Sequence, residues 1–256
     1  MSGANRLRAK LASGECATCF MVTMPSVAMA QVLAASGVDA LILDMEHGPI
    51  DLATAPAMIA APSGPPAVPV VRVPWTEPWL AKPVLDAGAY GINFPMVTTA
   101  ALARETVRAV RYPPAGARGY APSYAPARWG LPTEEYLRIA DREVLNIVTL
   151  EEPAAIEALD DIVAVPGIDV VVIASFDLSM ATGRPGRFDD PELQRLVAGA
   201  EAKIRASGLP MGGVALTPEA ARTKRAAGYR LLLVGFDVLM VAGAARDALN
   251  MLSARP

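Results

Sequence analysis

The chain has 256 residues, 23 Lys+Arg against 26 Asp+Glu, a formal net charge of −3 and a single histidine. With both signs interspersed and no Lys/Arg run, electrostatics give no support to nucleic-acid or membrane-surface binding, and no stretch of ~20 apolar residues is there to span a bilayer. Hydrophobic residues reach 53% but aromatics only 5%, so the core is expected to be aliphatic, as suits parallel strands buried on both faces.

The opening MSGANRLRAKLASGE is polar and lacks the apolar region of a secretory signal. Cys16 and Cys19 follow in the extended run ECATCFMVT. They read as two reduced thiols, with a redox pair or half a zinc site as the alternative, and a cytoplasmic location is expected. Further along, apolar extended runs alternate with helix-like segments. Strands are predicted at Cys16–Thr23, Ala40–Leu43, Val68–Val73, Gly91–Met96, Leu145–Leu150, Val170–Ala174, Pro210–Ala215 and Arg230–Val234. Helices are predicted at Ser26–Ser36, Thr54–Ala61, Trp79–Ala87, Thr99–Arg111, Glu152–Val163, Pro191–Ser207, Pro218–Ala226 and Asp237–Ser253. Thr99, Asp190-Pro191 and Thr217-Pro218 carry helix-start chemistry.

Eight βα units in this length match the count and size of a (β/α)₈ barrel; a doubly wound open sheet is the alternative. Pro62–Pro74 leads straight into a strand and no linker divides the chain, so residues 1–256 are expected to form one domain. The connection Tyr112–Tyr136 is rich in Pro, Gly and aromatics and is long for its task. It reads as a functional lid or interface arm, or else as a tolerated insertion.

In a barrel of this kind, chemistry sits at the carboxyl ends of the strands. The second strand runs into Asp44, Glu46 and His47; the third delivers Arg72, the fifth Glu151 and Glu152, and the sixth Asp177. Histidine is the side chain whose ordinary pKa, about 6.5, lets it move protons near neutral pH. Two carboxylates from adjacent strands, Glu151 and Asp177, form a hard oxygen site suited to Mg²⁺ or Mn²⁺. Arg72 can pair with a carboxylate or a developing enolate, and His47 can act as base directly or through water. Asp86 can orient that histidine, or it is a helix-surface carboxylate. A metal, an arginine and a base point to reaction beside a carbonyl: enolisation, or an aldol step in either direction. No lysine ends a strand, and G-x-S-x-G, Walker and G-x-G-x-x-G motifs are absent from the sequence.

The segments LILDMEHGPID, PVVRVPW, LDAGAYGINFPMV, AVRYPPAGARGY and the DLS after the sixth strand, in order from Asp39 to Asp237, resemble the HpcH/HpaI family of metal-dependent 2-oxo acid aldolases. The resemblance implies a (β/α)₈ barrel assembled as a hexamer, a trimer of dimers that swap the last helix. It implies reversible cleavage of 4-hydroxy-2-oxo acids to pyruvate, or a close 2-oxo acid, and an aldehyde. Glu151 and Asp177 would hold a divalent ion (Mg²⁺, Mn²⁺ or Co²⁺), and Arg72 would stabilise the enolate. His47, paired with Asp86 from a neighbouring part of the barrel or subunit, would activate the water that moves the proton. Asp44 would hold its loop, and Arg118-Gly119 would match the family's R-G in the long connection.

Two segments depart from the family pattern. Ala174-Ser175-Phe176 stands where Gly-Pro-Ala commonly precedes the metal-binding Asp and backbone N–H groups receive the donor carboxylate; Ser175 adds a hydroxyl and Phe176 adds bulk. Thr149 stands where Gln is frequent. Both changes bear on donor preference. The aromatics Tyr120, Tyr124 and Trp129 either favour a less polar acceptor or pack an interface. Two other readings stand beside the aldolase: a citrate-lyase-β-like acyl-CoA lyase, which would call for a basic surface toward nucleotide phosphates, and a non-catalytic barrel that binds a 2-oxo acid.

Overall fold

The eight extended runs close on themselves in chain order. The structure, a computed structural model, describes residues 4–251 apart from 63 and 65. Its strands are β1 (Ala17–Val22), β2 (Ala40–Asp44), β3 (Val68–Arg72), β4 (Gly91–Phe94), β5 (Leu145–Leu150), β6 (Val170–Ile173), β7 (Met211–Val214) and β8 (Tyr229–Phe236). They form a closed parallel barrel, with β8 pairing back onto β1. The period of two along each strand sorts side chains into two layers. Ala17 and Cys19, Ala40 and Ile42, Val68 and Val70, and Leu145 and Ile147 fill the interior. The alternate residues, among them Leu41, Leu43, Val71, Phe94, Val148 and Ile173, pack outward against the helices.

All eight predicted strands are present. The helices match closely at Pro191–Ser207 and Pro218–Ala226, while Glu152–Val163 divides at Ala158, whose backbone (φ −81, ψ 4) interrupts the turn, into Pro153–Glu157 and Leu159–Val163. The last helix is Asp237–Asn250; Leu252 and Ser253 of the predicted segment lie outside the described residues. Among the described residues no helix is long and apolar enough to cross a membrane.

The barrel floor comes from a segment whose polarity hid it. Residues Arg6–Ala12 form a helix capped by Asn5, whose side chain accepts from the Arg8 N–H. Leu7 and Leu11, one turn apart, close the bottom of the interior. The Asn5 amide donates to the carbonyls of Tyr90 and Glu143, and Lys10 pairs with Asp39 at 2.8 Å. Cys16 and Cys19 flank the same end. Three positions apart on extended chain, they face opposite sides of the sheet, Cys19 inward and buried, and both thiols are free. That geometry removes the redox-pair and zinc readings.

The connection Tyr112–Tyr136 is not a lid over the carboxyl ends of the strands. It joins a helix end to the start of β5, on the amino-terminal face of the barrel. Pro126 and Pro132 start two helices there, Ala125–Trp129 and Thr133–Glu143. Trp129 stacks on Tyr90 with centroids 4.1 Å apart and donates to the Gly88 carbonyl. Arg118 is buried between Tyr112 and Tyr136.

At the opposite end Asp237, 0% exposed, ties β8 to the exit of β1. Its carboxylate accepts from the Thr23 N–H, the Thr23 hydroxyl (2.8 Å), the Met24 N–H (2.8 Å) and its neighbour Val238 N–H. Removing it strands several buried donors at once. Asp237→Ala is therefore expected to cost about 3 kcal/mol or more in urea unfolding. Asp160→Ala, whose side chain is 71% exposed, should stay within about 0.5 kcal/mol.

Candidate active site

Register places the first two site residues side by side. Asp44 ends β2 and Arg72 ends β3, and the two are direct partners across the ladder, with Asn93 of β4 next in line. All three face inward at the carboxyl end of the barrel. The guanidinium grips the Asp44 carboxylate with a two-pronged fork, Nε to Oδ1 at 2.8 Å and Nη2 to Oδ2 at 2.7 Å. Asp44 is 1% exposed. Its Oδ1 also accepts from the backbone N–H groups of Glu46 (3.1 Å) and His47 (3.3 Å), which folds the loop after β2 back over the strand end. Gly48 completes the turn: a Cβ there would lie 2.6 Å from the Asp44 carbonyl oxygen and 2.7 Å from that of Thr23, so only glycine fits.

The loop delivers Glu46 and His47 to the rim. Glu46 Oε2 lies 3.2 Å from Arg72 Nε and 3.7 Å from His47 Nε2, yet it is buried without a hydrogen-bond donor. Burial raises the Glu46 carboxyl above its usual range, and the Arg72 and His47 charges pull the other way. The His47 side chain is 65% exposed and lines the mouth of a cavity of about 280 Å³ that runs from the rim into the barrel. Arg72, Asn93, Thr149, Ala174, Phe176 and Asp177 line it near the top, and Cys19, Ile42 and Leu231 near the bottom.

Glu151 follows β5 directly and is buried. Burial, then the charges of Glu46 and Asp177, push its carboxyl up to about 8, against the opposing pull of Arg72 and a backbone hydrogen bond from Met96. Met96 reaches it by a rare backbone state: at φ 54 it is the one non-glycine residue with positive φ among the described residues. Such strain at a rim carboxylate is the kind that functional sites retain. Thr149, two residues earlier, donates to Asn93 Oδ1 at 2.6 Å inside the cavity.

Glu46, Glu151 and Asp177 thus share one rim with one arginine, and burial together with neighbouring carboxylates destabilises the charged forms of Glu46 and Glu151. This donor set fits a divalent cation through Glu151 and Asp177. Among the described residues no three acidic, histidine or cysteine side chains already converge as a cage, so water and substrate oxygens would complete the shell.

Of the sequence-predicted residues, the structure brings His47, Arg72, Asp44, Glu151, Phe176 and Asp177 to this rim. Ser175 faces a neighbouring cavity instead. Asp86 is elsewhere: it ends the helix Pro78–Asp86 at the amino-terminal face, where its carboxylate accepts from Arg118 Nη2 at 3.0 Å. Within one chain Asp86 and Arg118 partner each other, and the carboxylate beside His47, at 3.7 Å, is that of Glu46. Glu46 and Asn93 were the site residues that sequence reasoning left without a role. The acidic D-x-E-H knot pointed to Glu46, and an asparagine in an inward register position pointed to Asn93.

The model of the family described as HpcH/HpaI aldolase/citrate lyase matches residues 18–244. The chain is 39% identical over 245 residues to the hydroxypyruvate/pyruvate aldolase of Roseovarius nubinhibens, covering 96% of this chain and 95% of that one. It is 36% identical over 249 residues to the 2-keto-3-deoxy-L-rhamnonate aldolase of Escherichia coli, covering 96% and 92%. A crystal structure of an HpcH/HpaI aldolase/citrate lyase family protein from Burkholderia cenocepacia superposes with a TM-score of 0.90 at 33% identity, covering 98% of this chain and 100% of that chain.

Arg72→Ala would leave the buried Asp44 carboxylate without its counter-charge. It is expected to cost about 3–5 kcal/mol of stability at pH 7. Arg72→Lys, which keeps the charge but not the fork, should cost less than half of that. Urea midpoints at equal m-values would check both.

Proposed function

This chain belongs to the HpcH/HpaI aldolase/citrate lyase family and is a carbon–carbon lyase of the aldolase kind, and we propose that it cleaves 4-hydroxy-2-oxo acids reversibly to pyruvate, or a close 2-oxo acid, and an aldehyde. The observation that carries this reading is the rim itself: one forked arginine, a carboxylate pair beside it and the chain's single histidine at the mouth of one cavity.

We assign Glu151 and Asp177 to a divalent ion, Mg²⁺, Mn²⁺ or Co²⁺, which when bound would polarise the 2-oxo group as a Lewis acid. Arg72, fixed by Asp44, faces the oxygen on which enolate charge develops. His47 at the solvent side holds the water that takes the proton from the C4 hydroxyl as the C3–C4 bond breaks. The bonding pair passes to the enolate, and a proton returned at C3 gives the methyl group of pyruvate. The first turn of the helix Ser175–Ala181 leaves backbone N–H groups free for the donor carboxylate. Asp86 of another copy, rather than of the same chain, would be the partner that reaches His47.

Residues 1–256 act as one aldolase domain in this reading, placed in the cytoplasm in keeping with its two free thiols. A homo-oligomer is also proposed, a trimer of dimers exchanging the last helix. Its support is the helix Asp237–Asn250: after the buried Asp237, Val238, Leu239, Met240, Val241 and Leu249 are all exposed on a single chain.

Exchange of pyruvate methyl protons for deuterium, followed by NMR, tests the donor half-reaction without knowledge of the aldehyde. Exchange is expected with Mg²⁺ or Mn²⁺, lost in EDTA, and reduced at least 100-fold in Glu151→Ala. Absence of exchange with metal demonstrably bound would remove pyruvate as donor. For the assembly, light scattering of Leu239→Glu/Leu249→Glu is expected to show a smaller species than the wild type. An unchanged mass would separate the exposed helix from oligomerisation.

A further inference from the structure

Beside the active-site cavity lies a second one of about 500 Å³, and the two share wall residues Phe176 and Val214. It is a groove between the helices Pro191–Ser207 and Pro218–Ala226, walled by Leu193, Val197, Ala198 and Leu216. The Phe176 ring, 43% exposed, stands at the boundary and meets Phe188 edge to face, with centroids 4.8 Å apart and planes at 78°. An exposed aromatic pair between two cavities is a partition whose position one side-chain rotation changes.

The walls of the groove are mostly apolar, with Ser175, Gln194, Thr217, Glu201 and Lys224 as the polar side chains among them. Glu201 Oε1 accepts from the Tyr229 hydroxyl at 2.9 Å, and Lys224 Nζ lies 4.3 Å from the centre of the Tyr229 ring. Glu201 lies more than two turns along its helix from Leu193. His47, Arg72 and Asp177 line the first cavity only. The donor's charged groups are thus met on one side of Phe176, and the walls on the other side are mainly hydrocarbon: Leu193, Val197, Ala198, Val214 and Leu216. A volume of this size falls within the range of small-molecule sites, roughly 300–1,000 Å³.

We propose that this groove receives the apolar chain of the acceptor aldehyde, and that Phe176 is the specificity-determining residue over which the chain passes. The proposal rests on the aldolase reading above. A carboxylated aldehyde would meet a single cation among the described residues of the groove, Lys224, held over the Tyr229 ring and under the influence of the Glu201 carboxylate, and would be the poorer acceptor.

The experiment is aldol addition of pyruvate to straight-chain aldehydes from acetaldehyde to hexanal, with succinic semialdehyde alongside. In the wild type kcat/KM is expected to rise by about fourfold per methylene, and succinic semialdehyde should fall below butanal. Ala198 is exposed on the groove wall, so Ala198→Trp obstructs the groove without entering the core. It should lower the hexanal-to-acetaldehyde ratio at least tenfold; Gln194→Trp, on the same wall, serves if the first variant unfolds early. Phe176→Ala should change the same ratio more than it changes deuterium exchange into pyruvate. A flat chain-length series, or a ratio that both obstructing variants leave intact, overturns the groove proposal while the aldolase reading stands. Absence of both exchange and addition with every aldehyde removes the aldolase reading and the groove with it.

Discussion

One ion pair organises the carboxyl end of this barrel. The Arg72 fork on Asp44 exists because β2 and β3 bring those two residues into register, both facing inward. The charges acting on it are acidic, so the arginine is at once the anchor of the loop after β2 and the counter-charge for Glu46 and Glu151. Asp44, in turn, is no spare carboxylate: its oxygens are consumed by the guanidinium and by the N–H groups of Glu46 and His47. Charge that a divalent ion could use is therefore left on Glu151, Asp177 and Glu46, and not on Asp44. This division of labour among four carboxylates comes from hydrogen-bond accounting at the end of two strands.

Much of this was legible in the residues. Strands such as Ala40–Asp44 and Leu145–Leu150 are short, apolar and buried throughout, so their existence and approximate limits follow from composition. The residues just beyond them then had to lie on the catalytic face of any barrel. What could not be read was partnership at a distance. Asp86 and Arg118 lie 32 positions apart and find each other through the packing of the long connection on the amino-terminal face. The helix Arg6–Ala12 was masked by its charges, although Asn5 and the Leu7–Leu11 spacing carried its signal. Met96 has no sequence signature at all, because positive φ in a non-glycine residue is imposed by the surrounding fold.

The two faces of the barrel carry different kinds of polar cluster. On the amino-terminal face the carboxylates are matched by donors: Asp169 accepts from Arg8, Arg111 and the Asn146 N–H, and Asp39 from Lys10 and Thr18. Among the described residues, the atoms left without partners there are arginine nitrogens, the Tyr112 hydroxyl and the Asn146 side-chain oxygen, not carboxylate oxygens. On the carboxyl face the count is acidic, Glu46 has an oxygen without a donor, and the Glu151 carboxyl is pushed up to about 8. Such imbalance is costly in a folded protein and is kept where a ligand relieves it.

Asp237 links two parts of the molecule that have been described separately. It opens the exposed last helix, and through Thr23 it fixes the chain segment against which Gly48, next to His47, is packed without room for a methyl group. Torque applied to that helix would reach the histidine through only a few bonds and one tight backbone contact. A purification tag or fusion partner at the carboxyl terminus thus sits on a lever whose short arm ends at the single histidine of the rim, and placing such additions at the other end of the chain avoids it.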